Sequence, residues 1–179
     1  MRIIAPSDEA ELSSALHTAL ALGGPFAVRY PRGAATGVPM PEEPETFEPG
    51  VSRTVREGSD VAILAFGNMV APAVSAAESL AAKGVSVRVV DMRWVKPLDV
   101  DAIRDAAKTR LVVTVEDGVV RGGVGEEVLA ELARQDAKVS ALTLGIPDKY
   151  IMQGAPDFLM EELGLDAAGI AKSIEEKLG

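Results

Sequence analysis

Val-Arg-Tyr-Pro-Arg-Gly, residues 28–33, sets two guanidinium groups at the end of a short apolar run. Arginines so placed can grip a phosphate or carboxylate through paired N–H donors. A surface or interface salt bridge is the competing reading for Arg29 and Arg32. A second candidate lies at 111–128. An apolar run, Leu111 to Val115, ends on Glu116 and Asp117; Gly118, Gly122, Gly123 and Gly125 follow, and then Glu126 and Glu127. Two neighbouring carboxylates suit general acid–base chemistry, and backbone N–H groups at a helix start suit an anion. Against a bound phosphate stand Glu126 and Glu127, which already complement the dipole of the helix they begin. The glycine spacing is neither a dinucleotide fingerprint nor a Walker loop. The expectation is a tight, closely packed turn, with Glu116-Asp117 as a solvated strand end.

Asp91-Met-Arg-Trp-Val-Lys-Pro-Leu-Asp99 is a third cluster. Arg93, Trp94 and Lys96 crowd one strand end. Trp94, the single tryptophan, suits either an interface core or a capped turn with a buried indole. His17, the single histidine, sits off the apolar stripe of its helix and is expected to face solvent. With one histidine and no cysteine, multi-histidine and thiolate metal sites are excluded, and so are disulfides.

The elements that must position these groups follow from periodicity and caps. Residues 7–22 read as a helix with Ser7 as N-cap, a stripe of Leu12, Ala15, Leu16, Ala19 and Leu20, and a stop at Gly23-Gly24. Residues 25–30 read as a strand. The proline- and glutamate-rich stretch 34–50 reads as a loop and is the best linker in the chain. Strands are then expected at 52–56 (an edge), 61–66, 85–91, 111–115 and 139–144. Helices are expected at 71–83, 100–108 (N-cap Asp99), 124–134, 156–163 and 167–178 (N-cap Asp166, with Leu165 stapled to Ile170). Strands alternating with helices imply an α/β fold with a mainly parallel sheet. Residues 58–179 suffice for one domain, whereas 1–33 supply too little for a core of their own.

The net charge of −9 comes without any run of Lys or Arg, which argues against nucleic acid as a partner. No apolar run approaches membrane-spanning length and no signal pattern opens the chain, so the cytoplasm is the default compartment.

Several motifs then occur in a telling order: Ala-Pro-Ser-Asp-Glu (5–9), Val-Arg-Tyr-Pro-Arg-Gly (28–33), Asp-Met-Arg-Trp-Val-Lys-Pro-Leu-Asp (91–99) and Thr-Val-Glu-Asp (114–117), followed by Gly-Gly-Val-Gly (122–125), Gly-Ile-Pro-Asp (145–148), Gln153-Gly154 and Leu-Gly-Leu-Asp-Ala-Ala-Gly-Ile (163–170). From end to end the chain resembles the C-terminal portion of the 1-deoxy-D-xylulose-5-phosphate synthase family, a branch of the transketolase-like thiamine diphosphate enzymes. The resemblance implies a three-layer αβα C-terminal domain at 58–179, a linker and edge strand at 37–57, and a helix–strand stub of the pyrimidine-binding domain at 1–36. The chain then looks like a fragment that begins inside a longer protein.

For the complete enzyme the resemblance implies a homodimer using thiamine diphosphate and Mg²⁺. Pyruvate would be condensed with glyceraldehyde 3-phosphate, with loss of carbon dioxide, on the non-mevalonate route to isoprenoids and toward thiamine and pyridoxal. It implies no catalytic, cofactor-binding or metal-binding residue within these 179 positions, and hence an inactive isolated chain. One functional position carries over: Arg32 matches the arginine that binds the phosphate of glyceraldehyde 3-phosphate, while Arg29 supports the turn. The glycine corner carries over as architecture and subunit contact. The alternative is a separately encoded C-terminal subunit or interaction module of a split transketolase-like enzyme.

Overall fold

The computed structural model describes residues 1–179. Its larger sheet sets β3 (Arg53–Arg56), β5 (Val87–Asp91), β4 (Val61–Ala65), β7 (Leu111–Val119) and β8 (Ser140–Ile146) side by side in that order. β5, β4, β7 and β8 run parallel and β3 closes one edge antiparallel, which is the mainly parallel α/β sheet the alternation implies. β4 is buried throughout because both faces are covered, hence its unbroken apolar run. Val61, Ile63 and Ala65 pack under α2 (Val70–Ala81) and α6 (Ala167–Leu178). Ala62 and Leu64 pack with Ile103 of α3 (Val100–Ala106) and Val128 and Leu132 of α4 (Val124–Arg134). Asp99 and Asp166 cap α3 and α6 as expected, accepting from Ala102 N and Gly169 N at 2.9 and 2.8 Å. α5 (Pro156–Glu162) leads into α6.

A second, three-stranded sheet holds the N-terminal segment. β1 (Arg2–Ile4) lies between β2 (Phe26–Val28), to which it is parallel, and β6 (Trp94–Lys96), to which it is antiparallel. Neither β1 nor β6 is foreseen by the sequence reading, which gives the segment one helix and one strand and leaves 92–99 as a turn. Residues 1–33 therefore share a sheet with the C-terminal domain. Ile4, Ala15, Phe47 and Trp94 form the small core between them, with Trp94 fully buried and edge-on to Phe26 at 5.7 Å. The indole of Trp94 is buried, but in strand β6 and not in a capped turn.

The helix α1 (Glu9–Leu22) corrects the sequence reading twice. Its N-cap is Asp8, which accepts from Glu11 N at 2.8 Å, and not Ser7. It buries Glu11, Ser14, Ala15 and Thr18, while Leu16 and Leu20 of the expected stripe are 49% and 85% exposed. The polar face turns inward because its groups find partners there. Thr18 Oγ1 accepts from Phe47 N at 2.8 Å and Ser14 Oγ accepts from Glu45 N at 3.2 Å, so the helix clamps the far end of the 34–50 loop. His17 faces solvent, as expected.

Glu11 is the pivot. Its Oε1 accepts from Arg93 Nε at 2.8 Å and lies 2.7 and 3.2 Å from the guanidinium nitrogens of Arg93 and Arg53. Arg53 also reaches Asp91 Oδ2 at 3.3 Å, and Arg93 N donates to Asp91 Oδ1 at 3.1 Å. The ring of Phe47 lies 4.2 Å from the Arg93 guanidinium carbon. Burial works to raise the Glu11 carboxyl, but the hydrogen bond and charge of Arg93, with the charge of Arg53, outweigh it and hold Glu11 low. Burial, then the negative Glu11, pushes Asp91 from 3.8 up to about 7. Of the two carboxyls, Asp91 is therefore the one that holds a proton, and it gives it up as the pH rises through about 7.

The sign of the pH effect follows. A carboxyl with a raised folded pKa stabilises most fully below its ordinary value and loses that contribution as the pH rises through about 7. Glu11, held low, acts oppositely and loses its contribution as the pH falls below its ordinary range. From about pH 5 to about pH 8 the urea midpoint of Asp91→Asn should therefore rise relative to the parent. A pH-independent difference between the two would contradict this assignment.

Candidate functional site

The carboxyl ends of both sheets converge on one place. Ala5 follows β1, Arg29 and Tyr30 follow β2, Phe66, Gly67 and Asn68 follow β4, and Asp117 lies near the end of β7. Together with Pro31 they line a cleft of about 50 Å³. Ligands of open α/β sheets favour such strand ends. Three backbone bonds fix the convergence: Ala5 N to Arg93 O at 2.7 Å, Arg29 N to Ile4 O at 2.8 Å and Phe66 N to Val115 O at 3.0 Å. Asn68 Nδ2 donates to Asp117 Oδ2 at 3.2 Å across the β4–β7 ends.

The two arginines separate here. Arg29 is tied by its backbone to Ile4 and directs its guanidinium toward Gly118. Arg32 is exposed, and no hydrogen bond or ion pair joins its guanidinium to another residue of the chain. Its partner, if an anion, comes from outside these residues.

The glycine corner proves more buried than the sequence suggests. β7 runs on to Val119 through a register shift after Val115, and Val119 then pairs with Ile146. Glu116 is therefore not a solvated strand end: it is 3% exposed. Its Oε1 accepts from Gly125 N at 2.8 Å and its Oε2 from Val124 N at 3.2 Å, at the first turn of α4. A carboxylate of the chain itself thus fills the anion position of that helix start. A Cβ on Gly123 would lie 2.3 Å from the backbone oxygen of Val119 and 2.5 Å from Glu116 Oε1, so the tight turn and the close approach of Glu116 both require glycine there. Glu126 takes Gly122 N at 2.8 Å. The sequence reading misses the role of Glu116. The available signal was a glycine-lined helix start eight residues after a carboxylate.

Arg93, Trp94 and Lys96 also part company. Arg93 belongs to the ion-pair cluster around Glu11, Trp94 to the small core, and Lys96 to the outer end of β6.

A metal–diphosphate group does not fit these residues. Glu116 is consumed by α4, Asp117 is paired with Asn68, and no group of three or more carboxylate or histidine side chains is placed to hold a metal ion. No helix is long and apolar enough to cross a membrane.

Residues 50–170 match the transketolase C-terminal domain model, and the chain belongs to that family. Among curated relatives, it is 48% identical over its full length to the 1-deoxy-D-xylulose-5-phosphate synthase of Magnetococcus marinus, of which it covers 29%. It is also 48% identical over 99% of its length to the synthase of the same name from Chromobacterium violaceum, of which it covers 28%. The chain thus spans less than a third of the length of these relatives. A solved structure described as a split gene transketolase, an inactive beta4 tetramer, superposes with a TM-score of 0.80 at 30% identity, over 98% of this chain and 56% of that one.

The buried carboxylate at the start of α4 should be worth a measurable amount. Glu116→Gln leaves one of the two backbone N–H groups facing an amide NH2 and removes the charge that complements the helix dipole. Urea denaturation should register a loss of about 1–3 kcal/mol. An unchanged midpoint would mean that the α4 N–H groups are satisfied without this charge.

Proposed function

We propose that the chain is the C-terminal portion of a 1-deoxy-D-xylulose-5-phosphate synthase and that Arg32 receives the phosphate of the acceptor aldehyde. In this reading residues 1–36 are the tail of the pyrimidine-binding domain, 37–57 the linker and edge strand, and 58–179 the transketolase C-terminal domain. The complete enzyme, a cytoplasmic homodimer using thiamine diphosphate and Mg²⁺, joins pyruvate to glyceraldehyde 3-phosphate with loss of carbon dioxide, toward isoprenoid precursors. The present residues supply neither cofactor ligands nor an acid–base group, and the isolated chain is inactive. Likeness to the synthases along the whole chain supports the reading. What supports the role of Arg32 is its exposed side chain, without a protein partner, one residue after Pro31 of the cleft. A guanidinium offers a planar fork of donors to a phosphate and is more weakly hydrated than an ammonium.

A second reading, a separately encoded subunit of a split transketolase-like enzyme, draws on the likeness to the split gene transketolase. The coding sequence upstream of Met1 distinguishes the two.

In the complete synthase, Arg32→Ala should raise the KM for glyceraldehyde 3-phosphate roughly 10- to 100-fold, the worth of a charge-assisted pair of hydrogen bonds. The KM for pyruvate should stay within about two-fold. Equal effects on both substrates would falsify the assignment.

A further inference from the structure

Glu9 stands in the first turn of α1 and yet reaches across to residues 36–38. Its Oε2 accepts from Thr36 N at 3.2 Å and from Thr36 Oγ1 at 2.9 Å. Its Oε1 accepts from Gly37 N at 2.5 Å and from Val38 N at 2.9 Å. Four donors converge on one carboxylate. Gly37 has φ +89°, a left-handed conformation that a side chain would strain, and its N–H is among those turned onto Glu9. At the other end of the same stretch Arg29 N is bonded to Ile4 O. Residues 29–36 are thus a strap fastened at both ends, and Arg32 sits near its middle.

We infer that Glu9 is a positioning residue for anion recognition: it fastens the strap that presents Arg32, and through it the phosphate of the acceptor. The inference rests on the proposed role of Arg32. Glu9 lines a pocket beside the strap with Tyr30, Pro31 and Gly33, and acts on Arg32 through the backbone of 36–38. Its own backbone N–H, then the Thr36 and Gly37 donors, outweigh burial and lower its carboxyl from 4.5 to about 2. The fastening is therefore ionised at every pH at which such an enzyme would work, and serves as a fixed anchor and not as a pH switch.

Glu9→Gln is nearly isosteric, but its amide nitrogen can accept none of the donors that one carboxylate oxygen now receives. In the 179-residue chain, trypsin should cut the Arg32–Gly33 bond about ten-fold faster in Glu9→Gln, because local opening is easier. In the complete synthase, Glu9→Gln should raise the KM for glyceraldehyde 3-phosphate about 5- to 50-fold, since small misplacements of a binding group are costly. It should leave unchanged the KM for pyruvate and the kcat/KM for unphosphorylated glyceraldehyde. Glu9→Gln combined with Arg32→Ala should be no worse than Arg32→Ala alone. Thr36→Val, which removes one donor only, should move the same constants in the same direction by less, and serves if the first variant folds poorly.

If Arg32→Ala leaves the KM for glyceraldehyde 3-phosphate unchanged, the proposed role of Arg32 fails and the positioning role with it. If Arg32→Ala raises it while Glu9→Gln and Thr36→Val do not, the positioning inference alone is overturned. Equal loss of kcat with phosphorylated and unphosphorylated acceptors, or unchanged tryptic cutting, also overturns it.

Discussion

The contact on which the assembly of this chain depends is the buried charge pair between Glu11 of α1 and Arg93 beyond β5. The N-terminal segment has one helix and two three-residue strands, far too little to fold alone. Its β1 pairs with β6, its Ile4 packs on Trp94, and both contacts require Arg93 and Trp94 to be held as they are. Arg93 has φ 53° and its side chain is 13% exposed, a costly arrangement for a charged residue unless its partner is in place. Removing one partner of such a buried pair typically costs about 3–5 kcal/mol, because the other charge is then stranded. Arg53 reaches both Glu11 and Asp91, Asp91 accepts from Arg93 N, and Phe47 covers the guanidinium from the linker side.

The same physical device recurs at two other places. Glu116 satisfies the N–H groups at the start of α4, and Glu9 satisfies those of 36–38. In each case a carboxylate of the chain occupies a nest of backbone donors that might otherwise be taken for an anion site. These internal anions narrow where an external phosphate can bind. Arg32 is held by no other side chain and follows Pro31, which lines the cleft at the carboxyl ends of β1, β2, β4 and β7.

Much of the larger sheet was legible because its determinants are local. The unbroken apolar runs of β4 and β7, and the caps Asp99 and Asp166, state their structure in the residues themselves. β1 and β6 were not legible: three residues carry no periodicity, and their pairing joins positions some ninety residues apart. The inward polar face of α1 was not legible for a related reason. Its leucine stripe is the more apolar face, but Glu11, Ser14 and Thr18 have specific partners at 45–47, 53 and 93, and these decide which side is buried. Glu116 was misread because nothing in a Glu-Asp pair says that a helix start will close over one of them. The contacts of Glu9 with 36–38 were not legible either, since in sequence it is only an acid in a helical first turn.

Native-state hydrogen exchange at Ala5 and Arg29, set against Phe66 within the larger sheet, tests the docking of the N-terminal segment most directly. Their N–H groups bond to Arg93 O, Ile4 O and Val115 O. If the Glu11–Arg93 contact holds the segment to the domain, Ala5 and Arg29 should exchange only through openings that also break that contact, with protection factors well above those of a free strand. Exchange of both amides at loop-like rates, while Phe66 stays protected, would contradict it.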